Sequence, residues 1–202
     1  MKKRTVQSVV VGIAAAILAG LSLADSQGEQ ESLSVKDIVE LTQYQATAGA
    51  ERRDLYGMSI TAVVPRGVME DITQRYLRSV HREDGGLHHQ VVMEVAYMGG
   101  WRYYRGAQLL GVDPLPFDAL ERRMARCTSA FLKCDHRERV MAEVTRQQLD
   151  QALEVGLYVN FESKAPGRDF MAYFPPAYVK AYLIKLDGKG AVTPNAFALA
   201  AQ

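Results

Sequence analysis

The chain is short of cysteine, of catalytic motifs and of any dominant charge, and each shortage narrows its possible roles. Cys127 and Cys134 are its only cysteines, which excludes a disulfide-dense scaffold. A structural zinc site needs four ligands, and beyond these two thiols and the nearby His136 no fourth is evident. Redox-active cysteine pairs are usually separated by two residues, whereas six separate this pair. There is no G-x-S-x-G elbow, and no serine sits in a strand–turn–helix frame. Phosphate-loop and dinucleotide fingerprints are missing as well. No catalytic residue, metal ligand or cofactor is therefore assigned. With 24 Lys and Arg against 23 Asp and Glu, no global field draws the chain to nucleic acid or to an anionic membrane.

What is present begins with the first 24 residues. Lys2, Lys3 and Arg4 precede an apolar run from Val9 to Ala24 that ends in Ser22-Leu23-Ala24. A basic head, an apolar middle and a small-residue end make the pattern of a secretory signal peptide. The run is 16 residues long, shorter than the roughly 20 of a spanning helix. Cleavage after Ala24 is expected; an uncleaved anchor is the alternative. Cleavage takes Lys and Arg from 24 to 21 and the net charge from +1 to −2. The mature chain is expected to be periplasmic or secreted, and free of the membrane because no comparable apolar run follows. In that oxidising setting Cys127 and Cys134 are expected to form a disulfide. A helix through both would hold them about 10 Å apart, so a bridge requires a turn or loop over 128–133.

Residues 25–33 read as a polar lead-in, 34–187 as one α+β domain and 188–202 as a tail. Ser34 with Asp37 marks a helix start, and the apolar spacing extends it to about Gln45. Residues 51–64 read as helix, although Ile60, Thr61, Val63 and Val64 favour a strand. Val68, Ile72, Tyr76 and Val80 recur every four residues, which predicts a helix over 66–81. From His88 the period becomes two, so 88–98 is a strand. Gly99-Gly100 reads as a hairpin turn, with Trp101–Leu110 returning as the partner strand. A short helix or irregular basic segment is expected over 119–126, and a strand over 140–144. Thr145 and Gln148 form a capping box, with Gly156 closing the helix. Strands follow at 157–161 and 170–174, and Pro175-Pro176 opens a last helix. The expected fold is thus α+β: N-terminal helices, then a mostly antiparallel sheet of about five strands with interleaved helices.

Trp101, Arg102, Tyr103, Tyr104 and Arg105 form the densest candidate binding surface. On a strand, Trp101, Tyr103 and Arg105 share one face and Arg102 and Tyr104 the other. Aromatic rings with guanidinium groups suit stacking on sugars or bases, or a protein hot spot; alternatively, one of these faces simply packs into the core under the helices. Alanine at Arg102 and Tyr104 is expected to weaken binding without unfolding the domain. His81, Asp84 and His88 could gather as a metal or acid–base cluster, but nothing in the sequence fixes that geometry and a polar surface turn is the preferred reading. Cys134–Glu138 reads as a solvated edge, and Tyr178 and Tyr182 as rim packing. The leading expectation is a non-enzymatic exported protein with a protein or envelope-component partner. The alternatives are a small periplasmic hydrolase or metal-dependent enzyme, and a structural component held by an uncleaved leader.

Overall fold

The computed structural model describes residues 33–46, 53–66, 69–82, 85–110, 114–128 and 133–188, without the side chains of 69, 125–128 and 133–134. The leader, the lead-in, the far tail and Asp84 lie outside the described residues, as do the cysteine side chains. The chain order is α1 (Val35–Leu41), β1 (Gln43–Ala46), β2 (Arg53–Tyr56), β3 (Ile60–Arg66), β4 (Met69–His81), β5 (Leu87–Met98), β6 (Tyr104–Leu109), β7 (Pro114–Leu115), β8 (Phe117–Thr128), β9 (Lys133–Val144), α2 (Arg146–Val155), β10 (Leu157–Ser163), β11 (Phe170–Phe174) and α3 (Pro176–Leu186). A seven-stranded antiparallel sheet runs β1-β2-β4-β5-β9-β8, with β3 beside β2 on the same flank of β4. A second antiparallel sheet runs β11-β10-β6-β7. Among the described residues no helix is long and apolar enough to cross a membrane.

The described residues are therefore mostly β, and the expectation of leading helices and one five-stranded sheet is overturned. The largest correction is to the helix expected over 66–81, of which 69–81 is the strand β4. A repeat of four is also twice the strand period of two, so Ile72, Tyr76 and Val80 still share a face. That face is the outer, more exposed one. The inward face carries Asp71, Thr73, Arg75, Leu77 and Ser79, all buried and four of them polar. The helix expected over 51–64 is replaced, among the described residues, by β2 and β3, both partners of β4, and the β-branched Ile60, Thr61, Val63 and Val64 all lie in β3. The first helix stops at Leu41 because Thr42 donates its hydroxyl back to Ile38 O (2.8 Å) and β1 begins at once. Residues 117–128 are strand β8, neither helix nor irregular.

The hairpin expected across Gly99-Gly100 does not form either. β5 pairs with β4 and β9, while β6 leaves for the second sheet and pairs with β10 and β7. Capping signals fare better. Ser34 Oγ accepts from Asp37 N while the Asp37 carboxylate accepts from Ser34 N, and Thr145 with Gln148 repeats the motif on α2. Gly156 ends α2 at φ +86°, a conformation that glycine adopts without strain.

One core spans both sheets and the helices. Val91, Met93 and Val95 of the central strand meet Leu149 and Ala152 of α2 and a row from α3 in it. Tyr178 and Tyr182 belong to that row and are fully buried, so they are core rather than rim. The Tyr178 hydroxyl donates to Met58 O (2.6 Å) and accepts from Leu77 N (3.3 Å). Gly57 permits this approach: a Cβ there would stand 2.5 Å from the Tyr178 oxygen.

Candidate functional site

The segment singled out by its composition lies where the chain passes from one sheet to the other. Only Tyr104 and Arg105 of the five residues are in a strand; Trp101–Tyr103 form the crossing loop. The alternation of faces holds. Arg102 and Tyr104 point inward and are buried, Tyr103 and Arg105 are exposed, and Trp101 is half-buried.

The loop is held by Glu138, which β9 carries on its inward face and which is completely buried. Its Oε1 accepts from the Tyr97 hydroxyl, from Arg102 N (3.2 Å) and from Tyr103 N (3.1 Å). Its Oε2 accepts from Tyr104 N (3.3 Å) and Arg122 Nε (3.0 Å). One carboxylate thus gathers three successive backbone N–H groups, as an anion does in a backbone nest. The chain makes room by placing Tyr103 at φ +50°, the only positive-φ residue other than glycine among those described. For a residue of this bulk that conformation is strained, of order 1–3 kcal/mol, and the hydrogen bonds to Glu138 offset it. Burial, reinforced by the hydrogen bond to Glu138, pushes the Tyr97 phenol well above its ordinary pKa.

Arg102 is fixed from three sides. Its guanidinium lies 4.0 Å from the Tyr97 ring centroid, and its Nη2 donates to Asp71 Oδ1 at 2.6 Å. Its carbonyl accepts from Lys164 N, Ala165 N and Ser163 Oγ, tying the loop to the β10–β11 turn. Burial opposes the Arg102 charge, but the hydrogen bonds with Asp71 and Tyr104 outweigh it and raise the pKa. Asp71 Oδ2 accepts from Arg66 Nε at 3.3 Å. Around the loop the rings stack in sequence: His136 lies nearly parallel to Tyr97, Trp101 meets His136 edge-on at 4.3 Å, and Tyr103 lies 5.9 Å from Trp101. Beside Trp101 a cleft of about 260 Å³ opens between Arg66, Asp71, Arg102 and Arg168.

The segment Cys134–Glu138 is accordingly no solvated edge, since His136 and Glu138 are both buried. The register places Cys127 directly opposite Cys134 across β8 and β9. The histidines are not gathered. His81 is exposed, and its backbone N–H donates to Asp54. His88 Nδ1 lies 3.5 Å from Glu143. His89, on the opposite face, meets Ser79 Oγ at 2.7 Å. His89 lines a second cleft of about 390 Å³ with His88, Glu143 and Arg146, but Ser79 is buried behind it and is held by Tyr182 (2.6 Å). Among the described residues no three metal-binding side chains come together.

The sequence reading missed Asp71, Tyr97, Glu138, Arg66 and Arg168. The period-two pattern of β9, followed back from Val140 and Ala142, would have placed Glu138 and His136 on the buried face. No family model, curated protein or solved structure matches this chain.

Proposed function

We propose that the protein is exported and acts as a non-enzymatic binding module, presenting the 99–105 loop to a protein or envelope-component partner. The observation that carries this reading is the strained backbone at Tyr103. A non-glycine residue held at positive φ by a buried carboxylate keeps an exposed tyrosine in one fixed place, and such strain concentrates at functional sites. The Tyr103 ring packs against Trp101 (5.9 Å) and under the Arg122 guanidinium (5.5 Å), which reduces the entropy it loses on binding. The recognition surface is Trp101, Tyr103 and Arg105, whereas Arg102 and Tyr104 are its internal supports. Alanine at Arg102 or Tyr104 would therefore unfold the loop and cannot serve as the test.

The test is capture from the native envelope by tagged wild type and by a Tyr103→Ala/Arg105→Ala variant of equal thermal stability. A stoichiometric partner held by the wild type and lost by the variant is expected. Equal capture by both overturns the loop assignment. Export rests on the leader pattern, and a mature mass beginning at Asp25 is expected. A Cys127–Cys134 disulfide is supported by the register, since opposed residues in antiparallel strands have Cα atoms about 4.5–5.5 Å apart, within disulfide reach. Intact mass under non-reducing conditions should be lower by two hydrogens. Reduction should cost about 2.5 kcal/mol by the loop-entropy model.

A further inference from the structure

We infer that the cleft beside Trp101 receives a carboxylate side chain of the partner protein, an inference that rests on the binding reading of the 99–105 loop. Three separate parts of the chain converge there: Arg66 and Asp71 from β3 and β4, the stretch from Met98 to Arg102, and Ala165 to Arg168 from the β10–β11 turn. Loops brought together at one end of a rigid frame are a common place for recognition.

The charge balance of the cleft is unequal. Among the described residues Asp71 is the only carboxylate lining it, against three guanidinium groups. Both Asp71 oxygens are already engaged, one by Arg102 and the other by Arg66. The Arg168 side chain is exposed and has no ion-pair partner among the described residues. Two positive charges are left without a counter-charge at the cleft, and each guanidinium has five N–H donors in a planar fork that matches a carboxylate. Arg102 is already seated on the Tyr97 ring, so a ligand need not immobilise it.

The wall chemistry selects a carboxylate on an apolar stem. Trp101 and Met98 offer apolar contact to methylene groups. Gly99 and Gly100 leave the rim open, with no atom within 4 Å of where a Cβ would stand. Inorganic phosphate has no methylene groups to lay against Trp101 and Met98, so only the carboxylate side chain gains from both the charge and the apolar wall.

Trp101 is the only tryptophan of the chain, so its fluorescence reports on this cleft and the loop beside it, and the Arg168 variants below separate the two. The experiment titrates the exported protein at low salt with a blocked tetraglutamate peptide, a blocked tetraglutamine peptide and inorganic phosphate. Saturable change with tetraglutamate, none with tetraglutamine, and binding of phosphate at least about tenfold weaker are expected. Equal response to tetraglutamine overturns the carboxylate assignment. Phosphate binding as tightly as tetraglutamate makes this an inorganic-anion site instead. Arg168→Glu, at an exposed position, should weaken tetraglutamate by about tenfold or more, and Arg168→Lys should restore most of the affinity. An unchanged affinity in Arg168→Glu overturns the assignment of the cleft. The partner capture separates the two readings. Capture lost in Arg168→Glu but retained in Tyr103→Ala/Arg105→Ala leaves the cleft standing and removes the loop. Capture retained in Arg168→Glu removes the cleft as a partner site.

Discussion

Two polar clusters sit on the inward face of β4 and β5, eight residues apart along β4, and they are built from opposite chemistry. At one end Asp71, Arg102, Glu138 and Arg122 form linked ion pairs beneath an irregular loop. At the other, neutral end, Ser79 links His89 and Tyr182 beneath α3, and the Tyr178 hydroxyl beside them bonds the Leu77 and Met58 backbone. Charges cost more to bury than hydroxyls, and they persist only where every lone pair and proton is met. The charged end meets that demand with backbone N–H groups that no strand or helix would otherwise satisfy. The neutral end joins a regular helix to a regular sheet, where a single hydroxyl, that of Tyr178, meets the two backbone groups Leu77 N and Met58 O. The difference teaches where a fold places its ions: at the irregular backbone, which is also where this molecule meets solvent.

Four substitutions or conditions would break or sharpen this contrast. Glu138→Ala should have the largest effect, about 3–5 kcal/mol, because it leaves three backbone N–H groups and the Tyr97 hydroxyl without their acceptor together. Urea denaturation measures it, and a loss under about 1 kcal/mol would remove Glu138 as the anchor. Tyr178→Phe should cost about 2 kcal/mol, since Leu77 N and Met58 O both lose a partner while the packing survives; the same denaturation series decides.

The neutral end should also respond to acid. Burial first, then the nearby Arg146 and His88, lower the His89 pKa from its ordinary value. The unfolded chain then binds this proton more readily than the folded one. Stability from neutral His89 is complete above about pH 6.5 and is lost as pH falls through the folded-state value. Thermal midpoints should decline on that acidic limb for the wild type and less steeply for His89→Gln; identical slopes would refute the assignment. Tyr103→Gly should be the mildest change, within about 1 kcal/mol of wild type, because relief of strain offsets the added freedom of the unfolded chain. Its partner capture should nonetheless be lost.

Where a signal was local, the sequence was legible. Both capping boxes, strand β5, the β10–β11 pair and the proline start of α3 are each decided within a few neighbouring residues. β4 was not legible, because its apolar residues fall at a spacing common to helix and strand and its buried face is polar. The path of β6 was hidden for a different reason. Gly99-Gly100 permits a hairpin, but Glu138, 36 residues downstream of Arg102, captures the following backbone and turns it away. The same distance limited the site. The alternation from Trp101 to Arg105 separated the inward side chains from the outward ones. The partner of Arg102, however, is Asp71, 31 residues upstream on a strand that read as helix.

The seat of α3 bears on when this chain can fold. Tyr178 satisfies Leu77 N from 101 residues downstream, and Tyr182 reaches Ser79 from 103. Loop-closure entropy must be met before such contacts return anything, and folding dominated by distant pairings is slow. A chain emerging N-terminus first therefore carries a polar, half-solvated β4 with no final partner until its last helix is delivered. Its closing hydrogen bonds are among the last it can make, and that delay would keep the chain extended through any passage that requires an unfolded thread.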